Sequence, residues 1–358
     1  MINAVSSINQ ADQPTAPQVK YNRLGNSGLK VSKIILGAMG YGEPKLAPWM
    51  HDEETSLPLI EHAFNAGINT WDTADFYGIG KSEEILGKAL KKYNIPRSKV
   101  VILTKCFFGV DQDVITPQGI DLLKATVNDG MMVNRVGLSR KHILDAVDAS
   151  VARLGTYIDV LQIHRLDRDT PIEEIMRALN DVVESGKVRY IGASSMAAWE
   201  FQKLNNVAEK HGWHKFISMQ NYHNLLYREE EREMFPYCKD AGIGLIPWSP
   251  LAGGYLARPW NNDDKSVREQ SDQFKELTVR PGDYIVVNRL EEVAKKLNST
   301  MAKVAIAWSI SKGVNPILGL QSIKRIDEAV EGSQLELSEE DIKALDEVYQ
   351  PKPVAPAW

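Results

Sequence analysis

Cysteine is scarce: only Cys106 and Cys238 occur in 358 residues, far apart and in no C-x-x-C arrangement, so neither a disulfide framework nor a thiolate metal site is indicated. A reducing compartment fits, and a cytoplasmic location is the expectation. No apolar run approaches the roughly 18 residues of a membrane span, so no membrane contact is expected. Residues 1–18 are polar, hold Pro14 and Pro17, and have no apolar centre. They read as a flexible arm rather than a signal peptide, leaving 19–358 for one folded domain. No basic block stands out: 42 Lys and Arg against 47 Asp and Glu give a net charge of −5, which argues against nucleic acid as a partner. The dinucleotide fingerprint G-x-G-x-x-G is missing, because Gly40 and Gly42 are followed by Lys45. Asp75 to Ser82 ends in Gly80-Lys81-Ser82, yet Asp75 occupies the first glycine position of a P-loop, which rules that motif out. His211 and His214 lack a carboxylate partner at helical spacing, so no metal site is expected. Nothing in the sequence fixes an oligomeric state.

What is present is a repeated alternation. Hydrophobic residues make up 43% and charged residues 25%, ordinary values for a globular protein with a large core. Short apolar runs alternate with stretches of helical spacing. They run Ser32–Leu36 then Asp52–Ala66, Asn69–Asp72 then Lys81–Lys92, Val100–Thr104 then Ser139–Leu154, and Ile158–Ile163 then Pro171–Ser185. The series continues with Val188–Gly192 and Ala197–Lys210, Phe216–Met219 and Arg228–Ala241, Ile243–Pro247 and Tyr284–Leu297, Asn315–Leu318 and Ile323–Glu331. Eight such units predict an α/β fold, a single (β/α)8 TIM barrel. A hairpin over Lys20–Lys30, turning at Gly25-Asn26-Ser27-Gly28, is expected to cover its floor. Ser299–Ser311 and Glu339–Tyr349 read as extra C-terminal helices. Ser139, Thr170-Pro171 and Ser338 look like helix starts, with a hydroxyl, proline or acids in the first turn. Two long irregular segments, Phe107–Leu138 and Leu251–Asp283, follow strands and are candidate lids over the active rim.

The rim carries the chemistry. Asn69 to Gly78 begins like a buried strand and then turns polar without becoming a helix, delivering Asp72, Asp75 and Tyr77 together. Lys105 closes the next apolar run and His164 the one after it. Alone, each has an ordinary structural reading as an ion pair, a rim packing residue or a satisfied core histidine; at matching strand ends they form a constellation. A phenol with a pKa near about 10 is a poor acid at neutrality, but a nearby ammonium stabilises its phenolate. Tyr77 beside Lys105 could then donate a proton, with Asp72 holding the ammonium and His164 polarising a carbonyl oxygen. No activated Ser or Cys supplies a nucleophile, so a hydride from a reduced nicotinamide completes the reaction. The expected substrate is a small-molecule carbonyl compound.

These residues resemble the aldo-keto reductase family over nearly the whole chain, from Tyr21 to Tyr349. The resemblance rests on Leu36-Gly37-Ala38-Met39-Gly40, on Trp71 to Gly78 with Ser82-Glu83, and on Thr104-Lys105, Leu161-Gln162-Ile163-His164 and Gly192-Ala193-Ser194-Ser195. Gln220-Asn221-Tyr222 and Trp248-Ser249-Pro250-Leu251-Ala252-Gly253-Gly254 complete it. The longer form resembles the fungal branch of aryl-alcohol dehydrogenases and aromatic polyketide reductases. The resemblance implies Tyr77 as proton donor, Asp72 and Lys105 as its tuning pair and His164 as the carbonyl-orienting residue. It implies Ser194, Ser195 and Gln220 on the nicotinamide carboxamide, Ser195 replacing the commoner Asn, and Trp248 stacked on the ring. Ser249, Leu251 and Gly253 would cover the pyrophosphate, and Gly37, Ala38, Met39, Asp72 and Glu328 are also implied in the cofactor site. Gly319, Gln321 and Ser322 open the last barrel helix, where backbone N–H groups favour a phosphate. Gln321 stands where relatives have a basic residue and Ala329 where they have Asn, leaving Arg325 as the nearby cation for a 2′-phosphate. NADP is the expected cofactor.

Two other classes stay open at this stage. A barrel glycoside hydrolase would use Asp72 and Asp75 as its carboxylate pair, although such pairs usually come from different strand ends. A nucleotide-binding sensor or regulatory subunit, like the potassium-channel β-subunits that resemble this family, would keep the fold. Phe107, Phe108, Trp49, Trp199 and Trp260 are expected to border the pocket, pointing to an apolar or aromatic substrate.

Overall fold

The first element is a hairpin: β1 (Tyr21–Arg23) pairs antiparallel with β2 (Lys30–Ser32). The structure, a computed structural model, describes residues 19–111, 114–116, 119–121, 124–261 and 279–354. The expected N-terminal arm and residues 262–278 of the second long segment lie outside the described residues. Ser32 belongs to the hairpin and not, as expected, to the first barrel strand. Its hydroxyl donates to Ile34 O at 2.7 Å and its N–H to Thr70 Oγ1 at 2.9 Å, turning the chain a corner before β3 (Ile35–Gly37).

Seven more barrel strands follow, with a small hairpin between the third and fourth. They are β4 (Thr70–Asp72), β5 (Val101–Cys106), the hairpin β6 (Ile115–Thr116) and β7 (Gly119–Ile120), then β8 (Ile158–Ile163) and β9 (Val188–Ser194). β10 (Phe216–Gln220), β11 (Gly244–Leu245) and β12 (Ile317–Leu318) complete the sheet. The parallel order is β11-β10-β9-β8-β5-β4-β3-β12. The ends meet through Asn315 N–H on Leu245 O and Ile317 N–H on Pro247 O, both 2.9 Å. The expected (β/α)8 barrel is therefore the fold. β5, β9 and β10 run one or two residues beyond the expected Thr104, Gly192 and Met219, because Lys105, Ser194 and Gln220 still pair with neighbouring strands.

The helices are α1 (Glu53–Asn65), α2 (Lys81–Lys92), α3 (Arg140–Leu154), α4 (Ile172–Glu184), α5 (Ala198–His211) and α6 (Met234–Asp240). α7 (Tyr284–Lys296), α8 (Met301–Ser311), α9 (Ile323–Gly332) and α10 (Glu339–Asp346) follow. Ser139 and Ser338 cap as expected, accepting from His142 and Asp341 N–H. Thr170 does not: its hydroxyl donates to Asp167 Oδ2 at 2.6 Å, and α4 starts without a side-chain cap. The long helix expected over Arg228–Ala241 is a 3-10 turn followed by the short α6, because Arg228 and Glu229 are engaged by Asp346, Tyr349 and Lys352. The helix after β11 also differs. α8, apolar on nearly every turn, packs against α9 in the barrel ring, while α7 lies outside on α8 and α10. Met301–Ser311 is therefore the seventh barrel helix and Tyr284–Lys296 the added one.

The hairpin closes the floor. Leu24 and Val31 are fully buried against Ile35, Val101, Leu103, Val160, Ile246 and Ile317 inside the barrel, and Asn26 N–H donates to Gly242 O at 2.7 Å. Truncating Leu24 leaves a cavity that this rigid floor cannot fill. Leu24→Ala is expected to lose roughly 2–5 kcal/mol of stability, read as a lower urea midpoint at unchanged slope. An unchanged midpoint would show that the hairpin contributes nothing to the floor.

Candidate active site

Side chains alternate in and out along a strand, so each barrel strand stacks its inward residues in layers. On β5 the inward positions are Val101, Leu103 and Lys105; on β8, Val160 and Gln162 lead to His164 beyond the strand end. The lower residues belong to the apolar floor, and the layer above is polar. Lys105 stands level with Gln162, and Gln162 with Gly192. Gly192 has to lack a side chain, since a Cβ there would lie 2.4 Å from Ser218 Oγ and 3.1 Å from Gln162 Cγ.

Asp72 is the hub of the polar layer. Lys105 Nζ donates to Asp72 Oδ1 at 2.6 Å and to Thr73 O at 2.8 Å, while Gln162 and Gln220 both donate to Asp72 Oδ2, at 3.0 and 2.9 Å. Gln220 also donates to Gln162 Oε1 at 2.9 Å. Lys105 is 0% exposed and Asp72 2%. Burial pushes the ammonium down, but the Asp72 carboxylate and Tyr77 outweigh it, and Lys105 is held above its ordinary value. The lysine is therefore charged. Gln162 was not among the expected site residues; its inward position two residues before His164 was the available signal.

Tyr77 and His164 complete the group. The Tyr77 hydroxyl is 3.3 Å from Lys105 Nζ, and its ring meets the His164 ring edge-on at 5.8 Å. Burial raises the phenol above its ordinary value and outweighs the lowering by the ammonium. The expected net lowering by Lys105 is thus reversed in sign, because the ring sits in a desolvated layer. Burial, reinforced by Arg165 and Lys105, drops His164 well below the usual imidazole range, so its ring is neutral at pH 7. Its Nδ1 is buried without a partner among the described residues.

A cavity of about 510 Å³ runs from Asp72 and Tyr77 to the N-terminus of α9. Of the expected cofactor residues, Gly37, Met39, Gln220, Trp248, Ser249, Leu251 and Gly253 line it, as do Gly319, Gln321, Ser322, Arg325 and Glu328. Ala38 does not; it is fully buried beneath Ser82, whose hydroxyl donates to Ala38 O at 2.8 Å. Ser194 and Ser195 stand just behind the wall, Ser194 donating to Gln220 O at 2.8 Å and Ser195 accepting from Trp248 Nε1 at 3.3 Å. Among the lining residues that the sequence reading did not single out are Arg258, within the segment that begins at Leu251, and His51. Gln321 Nε2 donates to Trp49 O at 2.5 Å, tying the loop after β3 across the cavity.

Other expected residues lie elsewhere. Asp75 is fully buried on the helix side of the strands, in the field of Glu83 and Arg153 and beside Cys106; desolvation and Glu83 raise its carboxyl well above the usual range. Asp72 faces the barrel interior, so the two acids do not form a hydrolase pair across a substrate. Of the aromatics, Trp49 lines the cavity and Phe108 packs on His164 at 4.9 Å, while Phe107 packs against the main core and against Phe108. Trp199 is exposed on α5, and Trp260 packs on Tyr255; neither lines the cavity. His211 stacks on Trp213, and His214 bonds Glu184 at 2.8 Å. Among the described residues, no helix is long and apolar enough to cross a membrane.

A buried neutral imidazole makes stability depend on pH. With its folded pKa depressed, His164 contributes stability that is present above its unfolded value of about 6.5 and is lost as pH falls below it, at up to about 1.4 kcal/mol per pH unit. The His164→Asn variant lacks this dependence. Between pH 7.5 and 5.5 the parent's urea midpoint is expected to fall relative to the variant's; parallel midpoints would mean that the ring is not held neutral.

The Aldo/keto reductase family matches residues 33–350. The chain is 64% identical over 343 residues, 94% of its own length and 99% of the relative's, to versiconal hemiacetal acetate reductase of Aspergillus parasiticus. It is 55% identical over 340 residues, 93% and 97% of the two lengths, to a Schizosaccharomyces pombe protein described as an aryl-alcohol dehydrogenase. An aldo-keto reductase of Alternaria alternata is 47% identical over 347 residues, 94% of each chain. With its barrel, its rim residues and a family match across most of its length, this chain belongs to the aldo-keto reductase family and is an oxidoreductase.

Proposed function

We propose that this enzyme reduces an aldehyde or ketone to the alcohol with NADPH, Tyr77 donating the proton. One observation carries the reading: the Tyr77 hydroxyl lies 3.3 Å from a fully buried ammonium that is itself 2.6 Å from a carboxylate, at one end of the cavity. The nicotinamide, when bound, supplies the hydride. The phenol is protonated at neutral pH, as an acid must be, and the ammonium stabilises the phenolate left when the proton goes to the carbonyl oxygen. Asp72 keeps the ammonium charged and in place. The neutral His164 ring donates a hydrogen bond to the same oxygen, which orients the carbonyl without competing as the acid.

The cavity's donors fit a dinucleotide. Trp248 offers a flat wall beside Gln220, Ser194 and Ser195 for the nicotinamide and its carboxamide. Ser249 to Gly254 offer loop backbone for the pyrophosphate. The first turn of α9, with Ser322 as cap, and the cations Arg325 and Arg258 suit phosphate oxygens. These two arginines favour NADPH over NADH despite Gln321. The 64% identity to a reductase named for versiconal hemiacetal acetate, together with Phe108 beside His164, supports an aromatic or apolar acceptor in fungal secondary metabolism.

Tyr77→Phe is expected to lower carbonyl reduction by about 10²- to 10⁴-fold while leaving nucleotide affinity nearly intact, followed as loss of NADPH absorbance over a panel of aldehydes and ketones. Turnover near the parent's would sink the assignment. No turnover by the parent on any carbonyl, with nucleotide still bound, would move the reading to a nucleotide sensor.

Nucleotide choice has its own test. Arg325→Ala is expected to weaken NADPH by about tenfold or more and NADH hardly at all, because a charge-assisted bond to the 2′-phosphate contributes roughly 1.5–3 kcal/mol. Equal losses would assign Arg325 a purely structural role, and a parental preference for NADH would show that Gln321 decides.

A further inference from the structure

Directly after Tyr77 the backbone does something costly. Gly78, Ile79 and Gly80 hold φ of +59°, +53° and +86°, three left-handed residues in a row. Two are glycines, for which this region is free. The middle one is β-branched, the class of residue that tolerates it least. A sequence under no other demand would place Asn, Asp or Gly there.

The demand comes from the segment after β5. Phe108, Val110, Val114, Ile120, Ala125, Met132 and Val136 form a small apolar cluster, and Phe76 and Ile79 insert into it from either side of Tyr77. Phe108 of the same cluster meets Phe76 at a tilt and His164 edge-on, each at 4.9 Å between ring centres. The turn is closed by Ile79 N–H on Phe76 O at 3.0 Å and Ser82 N–H on Tyr77 O at 3.2 Å. Tyr77 is thus carried on a short arch whose two apolar feet stand in one cluster. That cluster also braces the histidine facing the phenol.

We propose that Ile79 is a positioning residue for Tyr77: its side chain, anchored in the 107–138 cluster, holds the strained turn in the register that keeps the phenol on Lys105. The cluster thereby controls the proton-donating geometry. The proposal rests on Tyr77 as the proton donor, and its central readout does not depend on turnover. Ile79→Asn suits the left-handed backbone but releases the anchor, so strain relief and lost packing oppose each other. Tm is expected to move by less than about 4 °C. The kcat is expected to fall on the order of 10- to 100-fold, since small misplacements of a reacting group cost this much, while KM for NADPH stays put. Freed from Lys105, the phenol titrates at higher pH, so the basic limb of the kcat profile moves up. Ile79→Leu, which refills the cluster, restores kcat.

The geometry is read directly by ¹⁹F NMR on enzyme labelled with 3-fluorotyrosine, the signal of position 77 being the one lost in Tyr77→Phe. In Ile79→Asn that signal is expected to shift and to titrate at higher pH. Val136→Ala, which thins the cluster from its far side, should move it the same way, and the double variant should be no slower than the slower single. A position 77 signal identical to the parent's in Ile79→Asn overturns the proposal whatever happens to turnover; so does an unchanged kcat, or rate losses that multiply in the double variant. Should Ile79→Asn not fold, the signal in Val136→Ala decides on the same terms. Turnover retained by Tyr77→Phe would instead overturn the proton-donor reading, with the NMR comparison still deciding whether Ile79 sets the ring's position.

Discussion

An ammonium with no solvent exposure is tolerable only because a carboxylate stands 2.6 Å away. Removing both charges from water costs several kcal/mol each, and their attraction offsets this only when the remaining donors and acceptors are also satisfied. Here they are: Thr73 O takes a second lysine proton, and Gln162 and Gln220 both reach the outer carboxylate oxygen. Four strands contribute to this one layer. Loss of either partner would leave a buried charge uncompensated, at a cost of about 3–5 kcal/mol.

The rest of the rim follows from that pair. Because the layer is dry, burial dominates every neighbouring titration: it raises Tyr77 and lowers His164 well below the ordinary imidazole range. The two groups at this end of the cavity therefore differ in kind. One is a protonated phenol 3.3 Å from a buried ammonium, and the other a neutral imidazole. The apolar floor beneath is part of the same device, since a hairpin that let water in from below would screen the field that the layer relies on.

Much of this was legible from residue order. Eight alternations announced the barrel, and Asp72, Tyr77, Lys105 and His164 were visible as polar residues closing apolar runs. Helix starts were readable where a serine faced a free first-turn amide, at Ser139 and Ser338. At Thr170 the same signature misled, because Asp167 competed for the hydroxyl. Strand ends were read short at Thr104, Gly192 and Met219, since a polar residue paired inside a barrel looks in sequence like the start of a loop. The order of α7 and α8 was misread for a related reason. Both have helical spacing, and only their neighbours reveal which one belongs to the ring.

The sequence by itself determined the fold, the class of chemistry and the principal rim residues, because periodicity and strand-end polarity are local properties of the chain. Tertiary structure alone decided how those residues meet. It assigned Asp72 to the interior and Asp75 to the helix side, brought Gln162 into the ion-pair layer, and put Arg258 and His51 on the cavity wall. It also set the sign of the Tyr77 shift and rooted Ile79 in a cluster whose members, Phe76 apart, lie 29 to 57 positions further along the chain. Desolvation and long-range packing depend on which distant segments converge, and no local pattern encodes that convergence.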